Sequence, residues 1–220
     1  MASATALEAM RGQIKNLHIT HQLIILSLSY GTIINVGSEE IHDFNSIQDG
    51  IDSAQIGDTV LVHSGIYYEN IIIDKTIILA SLAIFDDLND WYGFNDSTDE
   101  FEVTNNIINN TIIDGNNAAF NLGPFGSDNI IDYIGSSIFI ASFDGECISP
   151  SIIGFTIQNG KGTITEGPEW YGYYKKKGGG IYSYLSNTEI HYNNFINNGS
   201  KDIEDGGAIY FQTDSSENYI

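Results

Sequence analysis

Gly178-Gly179-Gly180-Ile181-Tyr182 returns 28 residues later as Gly206-Gly207-Ala208-Ile209-Tyr210, with Asn193-Asn194-Phe195-Ile196-Asn197-Asn198 between them. A glycine turn, a short apolar strand and an Asn-rich turn, followed by the same again, describe one rung of a solenoid. A unit of this length cannot bury its apolar face alone and must stack on its neighbours. Stacked coils are therefore the architecture this stretch predicts.

Upstream, short β-branched runs recur between Gly, Asp and Asn. Thr59 to His63, Tyr67 to Ile73 and Thr76 to Ala80 are the first three, with breaks at Gly65 and at Asp74-Lys75. If Val60 and Val62 face inward, the two-residue period puts Ile71, Ile73, Ile77 and Leu79 inward as well. Ile71-Ile72-Ile73 is apolar on both faces, which suits a covered parallel sheet. Further strand signals fall at Thr111-Ile112-Ile113, Ile138-Phe139-Ile140, Phe155-Thr156-Ile157 and Glu189-Ile190-His191. No helix of crossover length separates them, which argues against a doubly wound fold. Before the first strand, Ser46-Ile47-Gln48-Asp49-Gly50-Ile51 reads as a capped helix with Ile47, Ile51 and Ala54 on one face. The Asn pairs at 105–106, 109–110, 193–194 and 197–198 are expected to shape coil corners through side-chain ladders or Asx-turns.

The 220 residues carry 29 acidic and 8 basic side chains, a formal net charge of -21. Such a surface repels phosphate, so nucleic acid is excluded as a partner class, and an anionic membrane is disfavoured. The acidity equally serves solubility in an exported protein. The single cysteine, Cys147, excludes an internal disulfide and has no activating base beside it in sequence. Met10-Arg11-Gly12-Gln13-Ile14-Lys15, the apolar run from Leu23 and Val36-Gly37-Ser38 together read as an export signal over residues 1–38, with residues 1–9 an upstream extension if Met10 is the true start. A first strand preceded by a short helix is the alternative. No run reaches the roughly 18 apolar residues of a membrane span.

Ser46 to Ala54, Gly57-Asp58-Thr59-Val60-Leu61-Val62 and Gly65-Ile66-Tyr67-Tyr68-Glu69-Asn70-Ile71 resemble the N-terminal cap and first coil of right-handed parallel β-helix proteins of the pectate-lyase-like superfamily, including the periplasmic copper-accessory β-helix proteins. Thr111-Ile112-Ile113-Asp114-Gly115-Asn116 and Gly154-Phe155-Thr156-Ile157-Gln158-Asn159-Gly160 are similar to that family's strand-and-turn pieces. Gly206-Gly207-Ala208-Ile209 and Phe195-Ile196-Asn197-Asn198 resemble the two short motifs of chlamydial polymorphic outer-membrane proteins. The resemblance spans about residues 44–220. It implies an all-β, right-handed parallel β-helix with a short amphipathic capping helix, occupying residues 39–220. Asn218-Tyr219-Ile220 reads as mid-strand, so further coils are expected beyond the C-terminus. The resemblance also implies secretion, at the cell surface or in the periplasm.

Two insertions break the coil rhythm, at 83–110 and 161–177. Each holds one of the two tryptophans in a Trp-Tyr-Gly triplet. Insertions in repeat proteins emerge as loops and often form the binding face. Trp91, Tyr92, Trp170, Tyr171, Tyr173 and Tyr174 are the candidates for contact with a polysaccharide or cell-surface glycan, because flat aromatic faces stack on sugar C–H faces. Packing of the loops onto the solenoid would use the same residues. Asp86, Asp87, Asp90, Asp96, Asp99 and Glu100 are the candidate ligands for an optional calcium ion, although their spacing is not that of an EF-hand loop.

Enzyme readings fare less well. The lyases and pectin esterases that the resemblance brings in rely on Arg, and the only one here is Arg11, in the export signal. Lys161 and Lys175 are the nearest substitute bases. Asp86-Asp87 does not amount to the carboxylate motifs of the hydrolase branch. His18, His21, His42, His63 and His191 show no metal-ligand spacing, so copper is not carried over. The expected function is a secreted or surface module that binds carbohydrate without catalysis. A polysaccharide lyase or glycoside hydrolase is the alternative, and an adhesin or stalk repeat the second.

Overall fold

The computed structural model describes residues 31–117, 131–142, 146–166, 174–199 and 203–212. The first elements among the described residues are β1 (Ile33–Val36) and a short helix α1 (Ile47–Ser53). It then passes repeatedly through three parallel sheets. The first round is β2 (Thr59–Val62), β3 (Gly65–Tyr67) and β4 (Ile71–Ile73). The second begins with β5 (Ile78–Ser81), detours through the hairpin β6 (Tyr92–Asn95) and β7 (Glu100–Val103) and the helix α2 (Asn106–Asn110), and resumes at β8 (Thr111–Asp114). After β9 (Ile131–Tyr133), β10 (Ile138–Ala141) completes that round. The third is β11 (Ser151–Ile153) and β12 (Thr156–Gln158), then the inserted β13 (Thr163–Glu166) and β14 (Tyr174–Lys177), then β15 (Ile181–Tyr184). The last is β16 (Glu189–His191), β17 (Asn194–Ile196), the inserted β18 (Ile203–Asp205) and β19 (Ile209–Gln212).

Sheet order follows the rounds: β1-β2-β5-β11-β16, β3-β8-β12-β17 and β4-β10-β15-β19. Every pairing in these sheets is parallel. Stacked parallel sheets visited in constant order are compatible with a β-solenoid. The strands inserted after β8 and later join a separate mixed sheet, β18-β14-β13-β9.

Register stacks like on like. Ile34, Val60, Leu79, Ile152 and Ile190 align across the first sheet. Tyr67, Ile113, Ile157 and Phe195 align across the second, and Ile71, Ile138, Ile181 and Ile209 across the third. All of them belong to, or pack against, one apolar core. The inward set predicted from the two-residue period, from Val60 to Leu79, is buried there. Each such side chain contributes about 1.5–3 kcal/mol when withdrawn from water.

The glycine repeat has a backbone cause. Gly178 and Gly206 occupy equivalent corners with φ of 58° and 61°. A Cβ at Gly178 would lie 2.4 Å from the Ile181 carbonyl oxygen, and one at Gly206 would lie 2.3 Å from that of Ile209. Asn193 and Asn198 tie two successive rounds together through backbone groups and not as a side-chain ladder. Asn193 Nδ2 donates to the Ile152 carbonyl at 2.8 Å, and Asn198 Nδ2 to that of Ile157 at 2.7 Å. Asn105 instead caps α2, its Oδ1 accepting from Ile107 and Ile108 N–H, so the 105–110 pairs do not shape a coil corner.

α1 covers the first coil with Ile47, Ile51 and Ala54 buried. Ser46 is its N-cap, accepting from Asp49 N–H at 3.3 Å. The Glu69 carboxylate adds bonds from Ser46 Oγ, Ile47 N–H and Gln48 N–H at 2.9 to 3.0 Å. At the other end Lys75 Nζ donates to the Ile51 and Ala54 carbonyls at 3.2 and 3.3 Å. Both charges complement the helix dipole. Gln48 pairs with the edge strand β4: Ile72 N–H donates to its Oε1 at 2.7 Å, and its Nε2 to the Ile72 carbonyl at 3.2 Å. These contacts explain why Tyr67 to Ile73, expected as one strand, is two. The chain turns at Tyr68-Glu69-Asn70, where Glu69 reaches the helix and Asn70 Nδ2 reaches the Ser136 carbonyl at 2.8 Å.

Ile33–Val36, read from the sequence as the end of an export leader, pair with β2, and Val36 is fully buried. The rest of that leader, residues 1–30, lies outside the described residues. Asp58 ties this strand down: its carboxylate accepts from Thr32 N–H, Thr32 Oγ1 and Gln55 N–H at 2.7 to 2.8 Å.

Replacing Leu79 with Ala is expected to lower the unfolding free energy by about 2–5 kcal/mol, the cost of a large-to-small change in a packed core. Ile66, which points away from the core and is exposed, is expected to tolerate Ala within about 0.5 kcal/mol. Urea denaturation of the two variants measures both, and equal costs would refute the inward register.

Candidate functional site

The insertion at 83–110 leaves the stacked parallel sheets between β5 and β8 as an antiparallel hairpin. Its neck is drawn together by Asn105 Nδ2 donating to Asp86 Oδ2 at 2.8 Å and by Thr104 N–H donating to the Trp91 carbonyl at 2.9 Å. Tyr92 pairs with Val103, and Phe94 with Phe101. Strand alternation therefore gathers these four side chains on one face and leaves Gly93, Asn95, Glu100 and Glu102 on the other. A face of that composition would ordinarily be buried. Here Tyr92 and Phe94 are each 50% exposed and Phe101 is 63% exposed.

The rings form an unbroken row. Phe94 meets Phe101 edge-on with centroids 5.1 Å apart, and Phe101 stacks on Tyr92 at 5.5 Å with 10° between the planes. Tyr92 meets Trp91 at 5.5 Å. Trp91 meets Tyr192 edge-on at 5.9 Å, and Tyr192 lies 6.3 Å from the His191 ring. These separations are those of mutually attracting aromatic pairs. Tyr192 belongs to the corner between β16 and β17, two rounds beyond the hairpin's root. The hairpin thus leans along the stacked rounds, and the row continues from it onto the corner between β16 and β17.

Trp91 and Tyr92 are where the sequence reading placed a binding surface. Phe94, Phe101 and Tyr192, which are not among the sequence candidates, continue the same row of rings. The β-strand alternation of Tyr92-Gly93-Phe94 and Phe101-Glu102-Val103 was the signal for the first two. Nothing local marks Tyr192. Trp170, Tyr171 and Tyr173 lie outside the described residues, and Tyr174 opens β14.

The candidate calcium ligands do not converge. Asp87 Oδ1 accepts from Asn89 N–H and Nδ2 at 3.1 and 2.7 Å, and Asp86 accepts from Asn105. Among the described residues no group of three or more His, Cys, Asp or Glu is placed to hold a metal ion. An open hollow at the hairpin is lined by residues 93–97 and 102–104. Glu102 Oε1 there accepts from Asn95 Nδ2 and from Thr98 Oγ1.

A second cluster lies at the loop between β1 and α1. His42 and His63, far apart in sequence, have ring centroids 4.1 Å apart. Glu39 N–H donates to His42 Nδ1 at 3.2 Å, and His63 Nε2 lies 3.3 Å from Asn35 Oδ1. Burial and then the neighbouring His42 charge hold the His63 pKa below its usual value, against a smaller opposing pull from Glu39. Below this pair Tyr67 donates its hydroxyl to the His63 carbonyl at 2.7 Å. Burial, and less so Glu69, push the Tyr67 pKa up to about 12, which keeps it a neutral donor.

No helix among the described residues is long and apolar enough to cross a membrane. Compared with protein-family models, curated proteins and solved structures, the chain matches none.

A depressed histidine pKa gives stability a defined pH response. The neutral form is favoured on folding, so the contribution of His63 is complete above the unfolded value of about 6.5 and is lost as pH falls through the lower folded value. Stability measured by urea denaturation should therefore decline on acidification from neutral pH. His63→Gln should flatten part of that decline, and an unchanged slope would remove His63 as its source.

Proposed function

We propose that this chain is a right-handed parallel β-helix of the pectate-lyase-like kind, and that it is a secreted or surface module binding carbohydrate without catalysis. The handedness follows from a general rule: connections between parallel strands of one sheet are right-handed in about 98% of cases. The constant order of the three sheets makes every round such a connection. Export would place any processing site upstream of Ile33, because β1 is part of the core.

The observation that carries the binding reading is the exposed ring row from Phe94 to Tyr192. Folding has every reason to cover three large aromatics on one hairpin face, and monomeric proteins rarely leave such patches open unless they bind something. Flat rings with wet polar tips suit pyranose faces. Glu100 and Glu102, the carboxylates of the two hairpin strands, alternate to the face opposite the rings, an arrangement that favours retention of a glycan over its cleavage. Calcium is left out of this reading.

Phe101→Ala and Tyr92→Ala are each expected to weaken binding of short neutral or amino oligosaccharides about tenfold, or about 1.4 kcal/mol, as read by calorimetric titration. Their melting temperatures should stay near that of the parent, since neither ring is buried. Unchanged affinity in both variants, or no glycan bound by the parent, would reject the reading.

A further inference from the structure

Resting on that reading, the geometry points to one class of occupant for the ring row: a linear glycan carrying free amino groups. Two features of the hairpin select it. The first is shape. Six rings from Phe94 to His191 follow one another with neighbouring centroids 5.1 to 6.3 Å apart. The row runs from the hairpin onto a coil two rounds away. The rings lean on one another, stacked at Tyr92–Phe101 and edge-on at Phe94–Phe101 and Trp91–Tyr192, so they offer a long apolar ridge of exposed faces and edges, which suits the interior of an extended chain of sugars better than a single chain end.

The second feature is charge. Asp86, Asp87, Asp90, Asp96, Asp99, Glu100 and Glu102 all lie within the insertion, and residues 83–110 contain no Lys, Arg or His. All seven are exposed, and none has an ion-pair partner among the described residues. Glu100 and Glu102 lie on the opposite face of the hairpin from the rings. A two-stranded ribbon is nevertheless thin, and both faces fall within about one Debye length, roughly 8–10 Å at moderate salt. A ligand on the rings therefore sits in a negative field that no neighbouring cation of the insertion offsets and that added salt screens. A polyuronate is repelled from it, a neutral glycan is indifferent, and an aminated glycan is attracted. Ammonium groups gain further from the ring faces, by about 0.5–1 kcal/mol for each exposed contact. Among the described residues the carboxylates form no group able to hold a metal ion, so their effect on a ligand is that of a diffuse negative field.

The test uses the full chain in calorimetric titrations with four oligosaccharides of matched length: β-linked glucosamine, its N-acetylated form, a neutral glucan and a galacturonate. Mildly acidic pH keeps the amines charged. The expected result is that the glucosamine oligomer binds about tenfold tighter than its acetylated form at low salt, that high salt erases the difference, and that galacturonate does not bind. The variant Asp96→Asn/Asp99→Asn/Glu100→Gln should lose the preference for amines while keeping its affinity for the neutral glucan, which also shows that it is folded. Equal affinity for aminated and neutral oligomers, with no salt effect, would overturn the proposal and leave carbohydrate binding standing. Tightest binding of galacturonate would overturn it likewise. Binding of none of the four, including the case where a lysine-rich peptide binds instead, would overturn both.

Discussion

Register across the stacked coils is the constraint on which everything else rests. Ile34, Val60, Leu79, Ile152 and Ile190 form one column because five strands from five stretches of sequence pair without a shift. A slip of one residue in any of them would turn its apolar set to the outside. The corners hold that register. Gly178 and Gly206 take a backbone conformation that a side chain would obstruct. Asn193 and Asn198 pin the last round to backbone of the one before. Insertions can then leave the corners freely, because no coil needs them for its own closure.

A column of this kind must be sealed at its ends. α1 seals one, and it does so with charge as well as apolar surface. Its seven residues are too few to be stable alone. Glu69 and Lys75, from the two turns that flank β4, hold its N- and C-terminal ends respectively. Gln48 meanwhile occupies the open hydrogen-bonding edge of β4. One short helix thereby covers the core, satisfies a strand edge and is fixed by the coil it covers. Removing any of these contacts would loosen the same element.

Much of this was legible in the chain. The period of two from Val60 to Leu79, the helix at Ile47, and the glycine repeat each reflect a local cause that acts through neighbouring residues. What failed was non-local. Tyr67 to Ile73 looks like one strand because all its residues favour extended backbone, and only the distant partners of Glu69 and Asn70 bend it. Asn105 looks like the Asn pairs at the corners, yet it caps a helix that sequence did not announce. His42 and His63 meet because β1 lies beside β2, a pairing no spacing rule records. The aromatic site was half visible. Trp91 and Tyr92 stood out by type, whereas Tyr192 joins them only because the coils stack.

The hairpin projects from the stacked sheets with Tyr92, Phe94 and Phe101 left half or more exposed. Its two ends meet at the Asp86–Asn105 contact, so residues 87–104 can be replaced by a short Gly-Ser linker without stretching the coil. The most direct measurement is the melting temperature and glycan affinity of that variant beside the parent. A solenoid that melts within a few degrees of the parent and no longer binds glycan is the predicted result. A variant that unfolds, or one that binds as before, would show instead that the rings serve packing or that the binding face lies elsewhere.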